Sequence, residues 1–204
     1  MEALASDFIQ DDCYPYNMFE HYVDQDLEPN IVVGIDFGTA GTAFAIQLRT
    51  DYENNKHEMY YDKYFSENGR KNSTSLLLRK DNSLSYFGVE AENKYRRLQN
   101  RDDWHFFRHF KMQMYRDRTQ QDIDSKTQLT AEGGEKVPVV IVFAESLKCI
   151  KREVDEVLVE AYGSCLKQMK KWVITVPAIW SDGAKTMMRA AAEKVTCYVK
   201  YNVD

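Results

Sequence analysis

The chain has 204 residues, 44% of them hydrophobic, and a formal net charge of −5. That is enough to bury one good core and points to a soluble globular protein of one or two domains. The longest apolar run, Val137 to Ala144, spans eight residues and is broken by Pro138; a membrane-crossing helix needs roughly 18 or more, so no membrane association is predicted.

In chain order, residues 1–30 come first. They hold eight acids, from Glu2 to Glu28, and no Lys or Arg, a local charge of −8. Such a segment repels itself and has no apolar period, which predicts a disordered leader. Its aromatics, among them Phe8, Tyr14 and Tyr22, leave a partner-docking role open beside the plainer reading of a solvated tail. Met1 to Asp12 carry no basic residue, so neither a secretory nor a transit signal is expected. The cysteines Cys13, Cys149, Cys165 and Cys197 are widely spaced and form no CxxC pair, the pattern of reduced thiols in a cytoplasmic protein.

Ile31 to Asp36 and Thr42 to Leu48 are β-rich runs separated by five residues with two glycines, a hairpin signal. Ser73 to Leu78 and Leu84 to Phe87 flank Lys80, Asp81 and Asn82, a second hairpin. Beyond Gly88 the pattern turns helical. Residues 94–118 carry a local charge of +5 with interleaved aromatics, a combination used by single-strand nucleic-acid binders. Phe106 and Phe110, with Phe107 and Met114 on a neighbouring stripe, fall at helical spacing, so the simpler reading is a helix with core aromatics and wet arginines. An acidic chain also repels polyanions, and no nucleic-acid partner is expected. His105 and His109, four apart, lack a third ligand for zinc and read as polar helix residues. From Phe143 the apolar positions step by three and four through Ala161, predicting a long amphipathic helix ending near Gly163 or Lys167. Trp172 to Val176 reads as a strand stopped by Pro177, and Ser181 or Asp182 caps a helix through Lys194.

The chemistry concentrates in Ile31-Val-Val-Gly-Ile-Asp36-Phe-Gly38-Thr39-Ala40-Gly41-Thr42. A carboxylate at the end of a buried strand is costly unless something positive faces it, and a bound cation answers that. Gly38 and Gly41 let the backbone turn tightly, and successive amides in such a turn form an anion-holding nest, with the Thr39 hydroxyl beside it. The arrangement suits phosphate oxygens and a hydrated Mg²⁺. No GxxxxGK[ST] occurs, and GxGxxG would need a helix where Thr42 to Leu48 looks like strand. The same residues also read as an ordinary hairpin with a turn aspartate.

Ile35-Asp36-Phe37-Gly38-Thr39 followed by small residues resembles the first phosphate motif of the superfamily of actin, sugar kinases and 70-kDa heat-shock proteins. Trp172-Val-Ile-Thr-Val-Pro177-Ala-Ile-Trp180, with Ala184-Lys185 and Met188-Arg189-Ala-Ala191, is similar to the heat-shock branch. Leu76-Leu-Leu78, Phe87-Gly88, Phe110-Lys111-Met112 and Lys126-Thr-Gln-Leu129 resemble a divergent part of that branch. The resemblance runs from about Ile31 to Lys194. It implies an α/β fold: a partial actin-like ATPase (ribonuclease H-like) lobe, with a twisted mixed sheet and flanking helices over residues 31–194.

Carried over by the resemblance, Asp36 would face the Mg²⁺ shell, and Gly38, Thr39, Ala40 and Gly41 would wrap the β- and γ-phosphates of ATP. Lys111 would help hold the attacking water, Pro177 would be a switch proline, and Lys185 the basic residue that senses it. Ala40 stands where the common pattern has a second threonine, and Gly41 replaces a bulky residue, which points to altered γ-phosphate sensing. The family's second phosphate loop, adenosine loop, second lobe and peptide-binding domain do not appear before Asp204, and residues 195–204 read as a divergent tail. The expectation is therefore an ATP-binding fragment of a chaperone-like protein without efficient hydrolysis. A sugar kinase of the same superfold and a non-enzymatic interaction fragment are the alternatives.

Overall fold

The computed structural model describes residues 30–54, 56, 58–115, 123–162 and 170–195. Except for Asn30 and Val195, the predicted leader 1–30 and tail 195–204 lie outside the described residues, as do Cys13, Cys165 and Cys197. The first hairpin forms as expected, with β1 (Ile31–Phe37) antiparallel to β2 (Gly41–Leu48). Ile31, Val33, Ile35 and Phe37 alternate inward along β1, the period-two pattern that fixes strand register. After a short helix α1 (Arg49–Glu53) come β3 (Tyr60–Tyr61), α2 (Lys63–Asn68) and β4 (Asn72–Ser73). Both short strands pair with β2, β4 at its start through Gly41 with Ser73 and Thr42 with Asn72.

The second hairpin joins β5 (Ser75–Arg79) to β6 (Ser85–Phe87), followed by α3 (Gly88–Arg97). Here the structure departs from the periodicity reading. Residues Trp104–Arg108 are not helix but a strand, β7, antiparallel to β5. His105 therefore lies on a strand, with Nδ1 2.9 Å from Glu135 Oε2. His109 sits at φ +48°, capping a 3-10 turn over Phe110–Met114. The aromatics are buried as expected, but on both faces of a sheet. Phe107 joins the main core, while Phe106 packs with Leu77 and Ala91, and Tyr95 stacks on it at 4.2 Å. With both faces covered, consecutive positions are apolar and strict alternation disappears.

A β8–β9 ribbon (Gln128–Thr130, Lys136–Pro138) leads into α4 (Val139–Tyr162). The long helix thus begins four residues before Phe143, directly after Pro138, a residue favoured at helix starts because its missing N–H has no intrahelical partner there. β10 (Lys170–Thr175) then enters the first sheet parallel to β1, giving the order β10-β1-β2-β3 with β4 also on β2. α5 (Asp182–Glu193) is capped by Ser181, whose side chain accepts from the Ala184 amide at 3.3 Å. The result is a mixed α/β fold with a mixed sheet and flanking helices. Inward residues of β1, β2 and β10 share one core with Phe143, Leu147, Ile150, Val154 and Leu158 of α4 and with Met188 and Ala191 of α5. Each such large side chain contributes about 1.5–3 kcal/mol on burial, and this core holds the β1–β2 turn in place.

Candidate functional site

The site grows from the β1–β2 turn. Gly38 donates its amide to Asp36 O at 3.1 Å. A Cβ on Gly38 would sit 2.3 Å from Gly41 O, and one on Gly41 would sit 2.8 Å from Lys71 Cβ. Both positions are therefore restricted to glycine by crowding within the protein, Gly38 by the turn's own backbone and Gly41 by Lys71. The turn is braced from beneath by Thr74, which lies between β4 and β5. Its amide donates to Ala40 O at 3.3 Å, its hydroxyl to Gly38 O at 2.9 Å, and its Oγ1 also lies 2.8 Å from Thr42 Oγ1. Two carbonyls of the loop are thereby tied down.

Asp36 ends on the outward side of β1 with its side chain 52% exposed. The expectation of a desolvated carboxylate is thus corrected, because alternation along β1 turns Asp36 away from the core that Ile35 and Phe37 enter. Something positive does face it. Lys71 Nζ donates to Asp36 Oδ2 in an ion pair, and Thr175 Oγ1 lies 3.3 Å from Oδ1.

Lys111 approaches from the 3-10 turn and is fully buried. Its ammonium donates to Phe37 O and lies 4.8 Å from the centroid of the Phe37 ring and 4.9 Å from that of Trp180. Burial pulls the Lys111 pKa down from 10.5 to about 8, against the attraction of Asp36, which raises it. It still carries most of its charge at neutral pH, held by a carbonyl and two ring faces. Trp180, stacked on Phe143 at 5.9 Å, keeps Nε1 buried without a hydrogen-bond partner among the described residues.

The structure therefore brings together Asp36, Gly38, Ala40, Gly41 and Lys111, and adds Lys71 and Thr74, which sequence reasoning missed. Thr39 lies in the same turn, half-buried. Pro177 follows β10 two residues after Thr175, and its carbonyl accepts from Trp180 N at 3.0 Å, linking it to the residue beside Lys111. Lys185 lies on the first turn of α5 and is 3.9 Å from Asp182 Oδ1. No signal adjacent in sequence marks Lys71, because it reaches Asp36 across 35 residues.

Chemically, two lysines face one aspartate beside a glycine turn, leaving a net positive charge. That balance suits a polyanion with a charge-neutralising cation nearby. The charges fit phosphate and hydrated Mg²⁺: a half-exposed carboxylate for the ion's water shell, with Lys71 beside it and the buried Lys111 beneath the turn. Among the described residues no cluster of three or more His, Cys, Asp or Glu could hold a metal directly, and no helix is long and apolar enough to cross a membrane.

Comparison with known proteins gives three relatives. The chain is 34% identical over 169 residues to human heat shock 70 kDa protein 12B. It is 33% identical over 167 residues to mouse heat shock 70 kDa protein 12A and 32% identical over 167 residues to the human 12A protein. These alignments cover 80%, 79% and 79% of this chain. The chain spans about a quarter, 24%, of the length of each relative. No protein-family model matches it.

Proposed function

Because this chain is a relative of heat shock 70 kDa proteins 12A and 12B, we propose that residues 31–194 form one lobe of an actin-like, ATP-binding domain of the 70-kDa heat-shock kind. The observation that carries this reading is the glycine turn with Lys111 buried beneath it and Asp36 at its edge. Gly38, Thr39, Ala40 and Gly41 would receive the β- and γ-phosphates, and Asp36 would face the water shell of Mg²⁺. The ion, when bound, neutralises phosphate charge. Lys111 adds a fixed positive charge in a dry setting, where it acts more strongly than in water. Its donation to Phe37 O fixes where that charge sits. Phosphoryl transfer depends mainly on such positioning and neutralisation rather than on a covalent catalyst. Pro177 and Lys185 are assigned to the switch that reports the phosphate state to the rest of the protein, and a chaperone-like role is part of the same proposal.

In the superfamily the nucleotide lies between two lobes, so residues 31–194 supply one wall. A complete site of micromolar affinity corresponds to about −8 kcal/mol. Hydrogen bonds to charged groups are worth roughly 1.5–3 kcal/mol each, so a polypeptide of residues 1–204 lacking two or three of them binds near millimolar and turns over slowly. The test is titration of Mg-ATP into this polypeptide and its Asp36→Asn variant, with phosphate release measured in parallel. Weaker Mg-ATP binding by the variant, with an unchanged circular dichroism spectrum, supports the reading. Equal affinities remove Asp36 from the site, and rapid phosphate release by the unaltered polypeptide overturns the single-wall assignment.

A further inference from the structure

We propose that Lys71 is a built-in cation of this site: it holds Asp36 where a hydrated divalent ion would otherwise sit, so polyphosphate binds without metal and Mg²⁺ must displace Lys71 to reach the carboxylate. The proposal rests on the nucleotide reading above and deepens it.

Three observations carry it. Both oxygens of Asp36 are already engaged, Oδ2 by Lys71 Nζ and Oδ1 by Thr175 Oγ1 at 3.3 Å. Lys71 is also placed by the fold rather than by chance rotation of a surface chain. It directly precedes β4, whose pairing to Gly41 and Thr42 brings its Cβ so close to Gly41 that only glycine fits there. The neighbouring Asn72 accepts the Val89 amide at 2.8 Å, pinning the same backbone to the start of α3. Finally, the Lys71 side chain is 48% exposed, and ion pairs that wet add little to stability. What the pair does is set charge: Lys71 neutralises Asp36 at the surface of the turn, and the buried Lys111 beneath it leaves the turn net positive before any metal arrives. A lysine can bind phosphate as a point charge without the ordered water shell that Mg²⁺ keeps.

The experiment compares the 204-residue chain with Lys71→Ala, Lys71→Arg and Lys71→Ala/Asp36→Asn. Melting temperature is followed against MgCl₂ without nucleotide, and ATP binding is measured in excess EDTA and in excess MgCl₂. The original chain is expected to melt independently of Mg²⁺ in the absence of nucleotide and to bind ATP in EDTA, with a modest gain in MgCl₂ as the ATP-bound ion displaces Lys71 from Asp36. Lys71→Ala should gain a Mg²⁺-dependent rise in melting temperature that the double variant loses. It should also lose roughly tenfold or more in ATP affinity in EDTA, the worth of one charge-assisted hydrogen bond, and recover in Mg²⁺, with Lys71→Arg behaving like the original. If the original chain depends on Mg²⁺ as strongly as Lys71→Ala does, Lys71 is not the cation of the site. If Lys71→Ala gains Mg²⁺ stabilisation but no form binds ATP, the exchange of lysine for metal stands and the nucleotide reading falls.

Discussion

Replacing Lys111 by Met is expected to stabilise the protein at neutral pH while removing its affinity for phosphate. Met keeps most of the buried stem and deletes the ammonium. The depression of the lysine pKa from 10.5 to about 8 by burial corresponds to about 3 kcal/mol of cost for the charged form, at 1.36 kcal/mol per pH unit. Loss of the hydrogen bond to Phe37 O returns about 1 kcal/mol, leaving a net gain of about 2 kcal/mol at pH 7. A group whose folded pKa is depressed binds fewer protons folded than unfolded between pH 8 and 10.5, so the original protein gains stability as pH rises through that window. The advantage of Lys111→Met must therefore shrink, falling by about 2 kcal/mol between pH 7 and pH 9.5. Urea unfolding of both proteins at the two pH values measures this directly, and tripolyphosphate titration measures the lost affinity. A variant less stable than the original at pH 7, or an advantage that does not change with pH, refutes the picture of a charge held in place against desolvation.

Gly38→Ala places a Cβ 2.3 Å from Gly41 O; it should cost about 1–3 kcal/mol and lower ATP affinity more than the same substitution at the open Gly133, where no atom lies within 4 Å, as denaturant unfolding and calorimetry will read. Glu153 on α4 has its pKa raised from 4.5 to about 7, first by burial and then by Asp62. Its folded form binds more protons than the unfolded chain between those values, so stability falls as pH rises from about 4.5 to 7. Glu153→Gln should flatten that slope and add about 1–2 kcal/mol at pH 8 after allowance for solvent screening, a result that melting curves across the pH range will confirm or reject.

The site and the folds around it differed in how far they could be read in advance. The β1–β2 hairpin and the glycine turn were legible because alternation and two glycines are local signals, and the Ser181 cap was legible for the same reason. The β7 strand was not. Phe106 and Phe107 are both buried because α3 packs on one face of their sheet and the main core on the other, and a pair buried on both sides mimics helical spacing with Phe110. The onset of α4 was placed too late because a buried helix begins apolar at every position, Val139 to Val142, with no polar face to mark its period. Asp36 was found as a residue but its setting was misjudged, since the strand's face was not assigned. Lys71 and Thr74 could not be reached from sequence, because their relation to the turn exists only once β4 lies beside Gly41.

Thr175 and Asp36 touch across 139 residues of chain, because β10 pairs parallel with β1 along its whole length. Closing so large a loop is entropically slow and makes parallel pairing one of the later events in folding. Until β10 arrives, β1 has one unpaired edge carrying Ile31, Val33 and Ile35, a template for pairing with another copy. On a ribosome, the glycine turn is synthesised long before the strand that anchors it. Its assembly is consequently timed by the emergence of Lys170–Thr175, and any pause before that point prolongs the period in which the chain can aggregate.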